Sequence, residues 1–184
     1  MKRSTITRSF LFALAWTASC CAHAALDIGE TAPAFVTPAA QGGKVYQFSL
    51  ADALAKGPVV VYFFPAAFSV GCSIEAHTFA ESIDKFAALH TTVIGVSGDD
   101  IDTLAKFSVQ ECQSKFPVGS DGTKKIMGSY DAVMALRPEY ANRISYLIAP
   151  DGKIIYQYKS LNPLSHVNKV LAALQDWSKA QSGK

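Results

Sequence analysis

Long apolar runs are scarce in this chain of 184 residues. The stretch from Phe10 to Ala18 falls short of the roughly 20 residues that span a bilayer, and nothing later is long enough either, so no stable membrane insertion is expected. Cysteine is sparse too, with four in all. There is no Cys-x-x-Cys of the kind a disulfide oxidoreductase uses, and no Cys-x-x-x-Cys that would hold copper. No repeat, low-complexity tract or long Pro/Gly linker divides residues 25–184, which predicts one domain large enough for a proper core. Arginine is the rarest of the common charged residues, and beyond residue 24 only Arg137 and Arg143 occur.

The N-terminal 24 residues differ from the rest. Lys2, Arg3 and Arg8 precede the short apolar stretch, and Ala22-His23-Ala24 follows it, which is the layout of a secretory signal peptide. Residues 1–24 are therefore read as a leader cleaved near Ala24, and residues 25–184 as a periplasmic or secreted domain. Lipidation at Cys20 or Cys21 is the lesser alternative, because Thr17 stands where a large aliphatic residue is usual. Cleavage removes three cations and no anions, leaving 14 Lys and Arg against 15 Asp and Glu, a net charge of −1. The basic balance of the whole chain belongs to the leader, and no basic patch is left to suggest nucleic acid. Two cysteines remain, Cys72 and Cys112, and exported thiols often pair.

Elements then alternate along the chain. Lys44 to Ser49 alternates polar and apolar residues after Gly42-Gly43, and Val59 to Phe64 is a β-branched and aromatic run suited to a buried strand. Ser73 to Leu89 suits a helix, with Phe79, Ile83 and Phe86 on its apolar side. Thr92 to Val96 is the next strand. Asp99, Asp100 and Asp102 suit the start of a helix running towards Glu111, and capping explains them more simply than cation binding. Ser120-Asp121-Gly122 is expected to cap a short helix through Tyr130. Ile144 to Ala149 and Ile154 to Tyr158 flank the turn Pro150-Asp151-Gly152-Lys153, and Pro163 to Trp177 forms a last helix. The order predicts an α/β domain, a three-layer α/β/α thioredoxin-like sandwich with a mixed central sheet and an N-terminal hairpin.

The chemistry concentrates between Pro65 and Cys72. The apolar run stops at Pro65, and a short turn containing Ser69 delivers Cys72 to a helix start, where unpaired amides and their partial positive charge favour a thiolate. A thiolate that cleaves a peroxide needs donors to hold both oxygens. Ser69 offers a hydroxyl, the backbone near Gly71 and Cys72 offers amides, and Pro65 walls the turn against water. A guanidinium would complete the set. Arg143, at the start of a strand, is preferred to Arg137, which precedes Pro138 in a loop.

The Pro65, Ser69, Cys72 and Glu75 pattern resembles the active-site signature of the peroxiredoxins, and Gly71-Cys72-x-x-Glu75 is most similar to the Q-type (bacterioferritin comigratory protein) branch. VIGVSGDD at 93–100, GSDG at 119–122 and RISYLIAPDGKI at 143–154 follow in the family's order. The resemblance implies Cys72 as the peroxidatic cysteine, Pro65 and Ser69 as pocket residues, and Arg143 as the site arginine oriented by Glu75. It implies no metal, haem or flavin, a thioredoxin-like reductant and a monomer. Many Q-type members carry a resolving cysteine five residues after the first, where this chain has His77. Regeneration is then expected through a Cys72–Cys112 disulfide, or through an external thiol.

Plainer readings stand beside these. Cys72 and Cys112 can form a permanent structural bridge, worth roughly 4 kcal/mol by loop entropy, or Cys112 can be a buried small hydrophobe. Glu75 can serve the helix dipole. His77 with Cys72 falls short of a closed metal shell and suits a helix surface. A non-enzymatic thioredoxin-fold protein that binds copper or partner thiols, and a thiol-disulfide oxidoreductase, are the rival functions.

Overall fold

The computed structural model describes residues 25–183, so the leader and the cysteines in it lie outside the described residues. A seven-stranded mixed sheet runs in the order β2-β1-β5-β4-β3-β6-β7. Its centre is β3 (Val59–Phe63), parallel to β4 (Thr92–Ser97) and antiparallel to β6 (Ile144–Ile148). Every residue of β3 is buried, which is why it reads as an unbroken apolar run. Alternate side chains serve opposite faces of the sheet: Val59, Val61 and Phe63 join one apolar cluster, and Val60, Tyr62 and Phe64 the other.

The first cluster is covered by α1 (Leu50–Leu54) and α4 (Lys125–Ser129), through Leu50, Ala53, Ile126 and Met127. The second lies under α2 (Val70–Ala87), α3 (Ile101–Gln110) and α5 (Pro163–Ser182), through Phe79, Phe86, Leu104, Phe107, Val167 and Val170. The three-layer sandwich is as the sequence predicts. So is the N-terminal hairpin, formed by β1 (Val36–Gln41) and β2 (Lys44–Ser49) across Gly42 and Gly43, both at positive φ. The β6–β7 hairpin, with β7 at Ile154–Lys159, turns through Gly152 at φ 82°. Among the described residues no helix is long and apolar enough to cross a membrane.

Several boundaries differ from the sequence reading. Helix α2 begins at Val70 rather than Ser73, so Cys72 lies inside its first turn. Helix α4 is shorter than expected and starts after Lys124, which sits in the left-handed region with no side-chain cap. Asp121 still serves it from a distance, its Oδ2 accepting from the Met127 amide at 2.7 Å. Strand β5 (Val118–Ser120), three residues around Gly119, and the five-residue α1 carry too little pattern to be seen in advance.

Candidate active site

Strand β3 ends against Pro65, and the chain turns through Ala66 to Phe68 before α2 begins at its N-cap Ser69. The turn is held in two ways. Asp99, just beyond β4, accepts hydrogen bonds from the Ala67 amide at 2.7 Å and from Ser97 Oγ at 2.8 Å. Phe68 takes a positive φ of 62°, unusual for a bulky residue, and sets its ring edge-on to Phe107 at 5.3 Å. Of the acidic cluster read as helix capping, only Asp100 caps α3, accepting from the Thr103 amide at 2.8 Å. Asp99 instead fastens the turn that carries Cys72.

Ser69 does not cap α2 with its side chain. Its hydroxyl donates back to Ala66 O at 3.0 Å, and its carbonyl accepts from the amides of Cys72 and Ser73, both at 2.9 Å. The Cys72 amide is thus already engaged, which removes it from the donors expected of the backbone here. The amides before it, of Val70 and Gly71, are among those a helix start leaves without an intrahelical partner. Pro65, Ala66 and Ser69 line a cavity of about 260 Å³ together with Met134, Arg137 and Tyr140.

Cys72 is only 1% exposed, and Arg143 reaches it from the edge of β6. One guanidinium nitrogen, Nη2, lies 3.4 Å from Cys72 Sγ, while Nη1 donates to Glu75 Oε2 and approaches Gly71 O at 3.4 Å. Gly71 makes this crossing possible, since a Cβ there would stand 3.0 Å from Nη2. Arg137 lines the cavity beside Pro65 and Ser69 but is engaged away from the thiol: it stacks over Tyr140 at 4.7 Å and pairs with Glu139 at 3.4 Å. The strand-edge arginine is therefore the one beside the thiol, for the reason the sequence suggests.

Glu75 corrects its plainer reading. It is fully buried and bonded to Arg143, not set at a solvated helix start. Burial pushes its carboxyl up to about 8, against the opposing pull of Arg143. Burial draws the Arg143 guanidinium down, but Glu75 and Cys72 more than offset this and hold it above its ordinary value. The result is a buried row of Cys72, Arg143 and Glu75 in which the arginine remains charged.

Cys112 lies at the end of α3, fully buried in the apolar cluster that also holds Cys72. Both thiols are free, so the permanent bridge is not what holds this fold together. Burial, with a smaller push from Glu111, raises the Cys112 thiol far above the usual range. The segment around it is clasped to α2 twice. His77 Nε2 lies 3.2 Å from Glu111 Oε2, and Lys115 Nζ donates to Ala80 O at 3.0 Å. His77 faces Glu111 on the helix surface, and among the described residues no group of three or more His, Cys, Asp and Glu is placed to hold a metal.

Two neighbours escape sequence reasoning. Tyr62 reads as one more apolar residue of β3, yet its hydroxyl is buried without a partner among the described residues, and burial first, then Cys112, Glu75 and Cys72, raise its pKa well above the ordinary value. His166 reads as a lone histidine on an amphipathic helix, yet it is fully buried beside Glu75.

Known proteins resemble this chain over most of its length. The AhpC/TSA family profile matches residues 28–157. A putative peroxiredoxin of Mycobacterium tuberculosis is 31% identical over 151 residues, covering 79% of this chain and 92% of the relative. Peroxiredoxin Bcp of Escherichia coli is 30% identical over 164 residues, covering 82% and 97%. Among solved structures, peroxidoxin BcpB from Mycobacterium tuberculosis superposes with a TM-score of 0.74 at 27% identity, covering 81% of this chain and 96% of that one. Peroxiredoxin Q of Xanthomonas campestris gives 0.67 at 25%, covering 77% and 90%. A thiol on the first turn of a helix, an arginine from a neighbouring strand and relatives matched over nearly their full length lead to one assignment: the chain belongs to the AhpC/TSA family of peroxiredoxins.

Proposed function

We propose that the protein is a thiol peroxidase that reduces hydrogen peroxide and organic hydroperoxides at Cys72. The observation that carries this reading is the Arg143 Nη2 contact with Cys72 Sγ at 3.4 Å, in a site that buries both. The charged fork favours the thiolate and stands ready for the charge that develops on the departing oxygen. The thiolate sulfur attacks one peroxide oxygen, the O–O bond breaks, and the other oxygen leaves with a proton as water or an alcohol. Cys72 is left as the sulfenic acid, oxidised by two electrons.

Resolution falls to Cys112 in this proposal. Its thiol condenses with the sulfenic acid, forming the S–S bond and releasing water, and an external dithiol of the thioredoxin type then reduces the disulfide. Both sulfurs belong to the same buried cluster, which supports the pairing. The bond needs Cα atoms within about 7 Å and correctly aimed Cβ vectors, and in this proposal the end of α3 or the start of α2 opens locally to meet that geometry. Pro65 and Ser69 shape the approach of the peroxide. The N-terminal sequence supports export to the periplasm or beyond and a reductant located there, and the likeness to Q-type relatives supports a monomer.

Stopped-flow oxidation of the reduced protein by peroxide tests the scheme, with Cys72→Ser, Arg143→Ala and Cys112→Ser alongside. Cys72→Ser is expected to be inert, Arg143→Ala slower by two or more orders of magnitude, and Cys112→Ser to accumulate sulfenic acid without an internal disulfide. Oxidation that survives loss of Cys72 sinks the mechanism. Full turnover by Cys112→Ser with a dithiol protein reductant moves resolution outside the chain.

A further inference from the structure

The row of polar groups at Cys72 does not stop at Glu75. Glu75 Oε2 takes Arg143, but Oε1 is buried with no hydrogen-bond partner among the described residues. Facing it at 3.6 Å is Nδ1 of His166, from the first turns of α5. That imidazole is gripped on every side. Nε2 lies 2.9 Å from Ser160 O, Nδ1 lies 2.9 Å from Ser145 Oγ, and the Tyr158 ring stands edge-on at 4.9 Å. A carbonyl only accepts, so the Ser160 contact assigns a proton to Nε2. Nδ1 is the nitrogen whose protonation is open, and the Ser145 hydroxyl can follow either state as donor or acceptor.

The groups facing this pair are Cys72 on α2, Tyr62 on β3, Arg143 and Ser145 at β6, and Tyr158 and Ser160 at and just beyond β7. Arg143 is the one cation among them. A bare Glu75 carboxylate would divide the guanidinium between two anions, itself and the Cys72 thiolate. A single proton on the pair brings its net charge to zero whichever member carries it, and leaves the charge of Arg143 to the sulfur.

We propose that Glu75 and His166 together carry one proton at neutral pH, on Oε1 or on Nδ1, and that His166 is thereby a positioning residue for the reaction at Cys72. The inference rests on the peroxidase reading above and deepens it. Burial works in its favour on both members, raising Glu75 to about 8 and lowering His166, which seats the proton chiefly on the carboxyl. As the pair loses that proton on the alkaline side, Arg143 turns its charge inward and the thiolate loses support.

The test follows peroxide oxidation of Cys72 from pH 5.5 to 9.5 in the reduced protein, in His166→Gln and in His166→Phe, with the melting temperature of each. The wild type is expected to slow several-fold as the pH passes about 8. His166→Gln keeps an amide donor but cannot titrate, and is expected to retain most of the neutral rate while its alkaline limb shifts by a pH unit or more. His166→Phe is expected to lose roughly ten-fold at neutral pH, the loss equivalent to one pH unit of support for the thiolate. Where the phenylalanine variant does not fold, the glutamine variant decides. Folded variants with wild-type rates and an unchanged pH profile overturn the proposal and leave His166 as packing. A wild type that oxidises no faster than Cys72→Ser overturns the peroxidase reading instead.

Discussion

Replacing Glu75 with Gln converts the buried charge of this site into a slope that can be measured. The Glu75 carboxyl sits at about 8 in the folded chain against an ordinary 4.5, chiefly because burial penalises its charged form. A group whose pKa is raised on folding contributes stability that is fully present below its unfolded value and is lost as the pH climbs through its folded value. The window is therefore pH 4.5 to about 8. Within it each pH unit removes about 1.4 kcal/mol, so the ceiling over the window is about 5 kcal/mol. Gln keeps the shape of the side chain and an acceptor for Arg143, but has nothing to titrate. Urea denaturation of both reduced proteins at half-unit steps from pH 4 to 9 gives the difference directly, with the proton that Glu75 shares with His166 counted in it. The wild type is expected to lose stability relative to Glu75→Gln across that window and to level off above it. Parallel curves for the two proteins would refute the argument, because they would mean that Glu75 is ionised at no cost in the fold.

Two further substitutions probe the same region. Gly71→Ala places a Cβ 3.0 Å from Arg143 Nη2, and is expected to slow oxidation of Cys72 by ten-fold or more while shifting the melting temperature only slightly; an unchanged rate in stopped-flow would show that the guanidinium does not depend on this crossing. Tyr62→Phe removes a buried hydroxyl that has no partner, so urea denaturation is expected to show a gain of about 1 kcal/mol, whereas a loss would reveal a hydrogen bond made by that hydroxyl in solution.

Local pattern carried much of this site into view. Strand β3 declares itself because both its faces are covered, and Cys72 with Pro65 and Ser69 is a local arrangement that a turn and a helix start enforce. Arg143 is legible because a strand edge aims a side chain in a fixed direction. The bounds of strand β1 are not, although a hairpin is expected there, since Pro38 and the pair Ala39-Ala40 interrupt any β-branched signal, and its place in the sheet comes from pairing with β2 and β5. Glu75 is ambiguous for a different reason: an acid near a helix start looks the same whether it faces water or an arginine 68 positions away. Asp99, Tyr62 and His166 draw their roles from partners distant in sequence, which no spacing along the chain records. The leader lies outside the described residues, so it remains a reading of residues 1–24 alone.

The two clasps between α2 and the segment carrying Cys112 act as a timer. In the proposed cycle the sulfenic acid at Cys72 waits for as long as His77 holds Glu111 and Lys115 holds Ala80 O. A waiting sulfenic acid is open to a second peroxide, which takes it irreversibly to the sulfinic acid. A half-exposed histidine–glutamate contact and one lysine–carbonyl bond are each worth about 1 kcal/mol or less, so the delay they impose is short. In that cycle the two clasps by themselves add little to the interval in which a second peroxide can reach the sulfenic acid, and what remains of the wait is set by freeing Cys112 from the core.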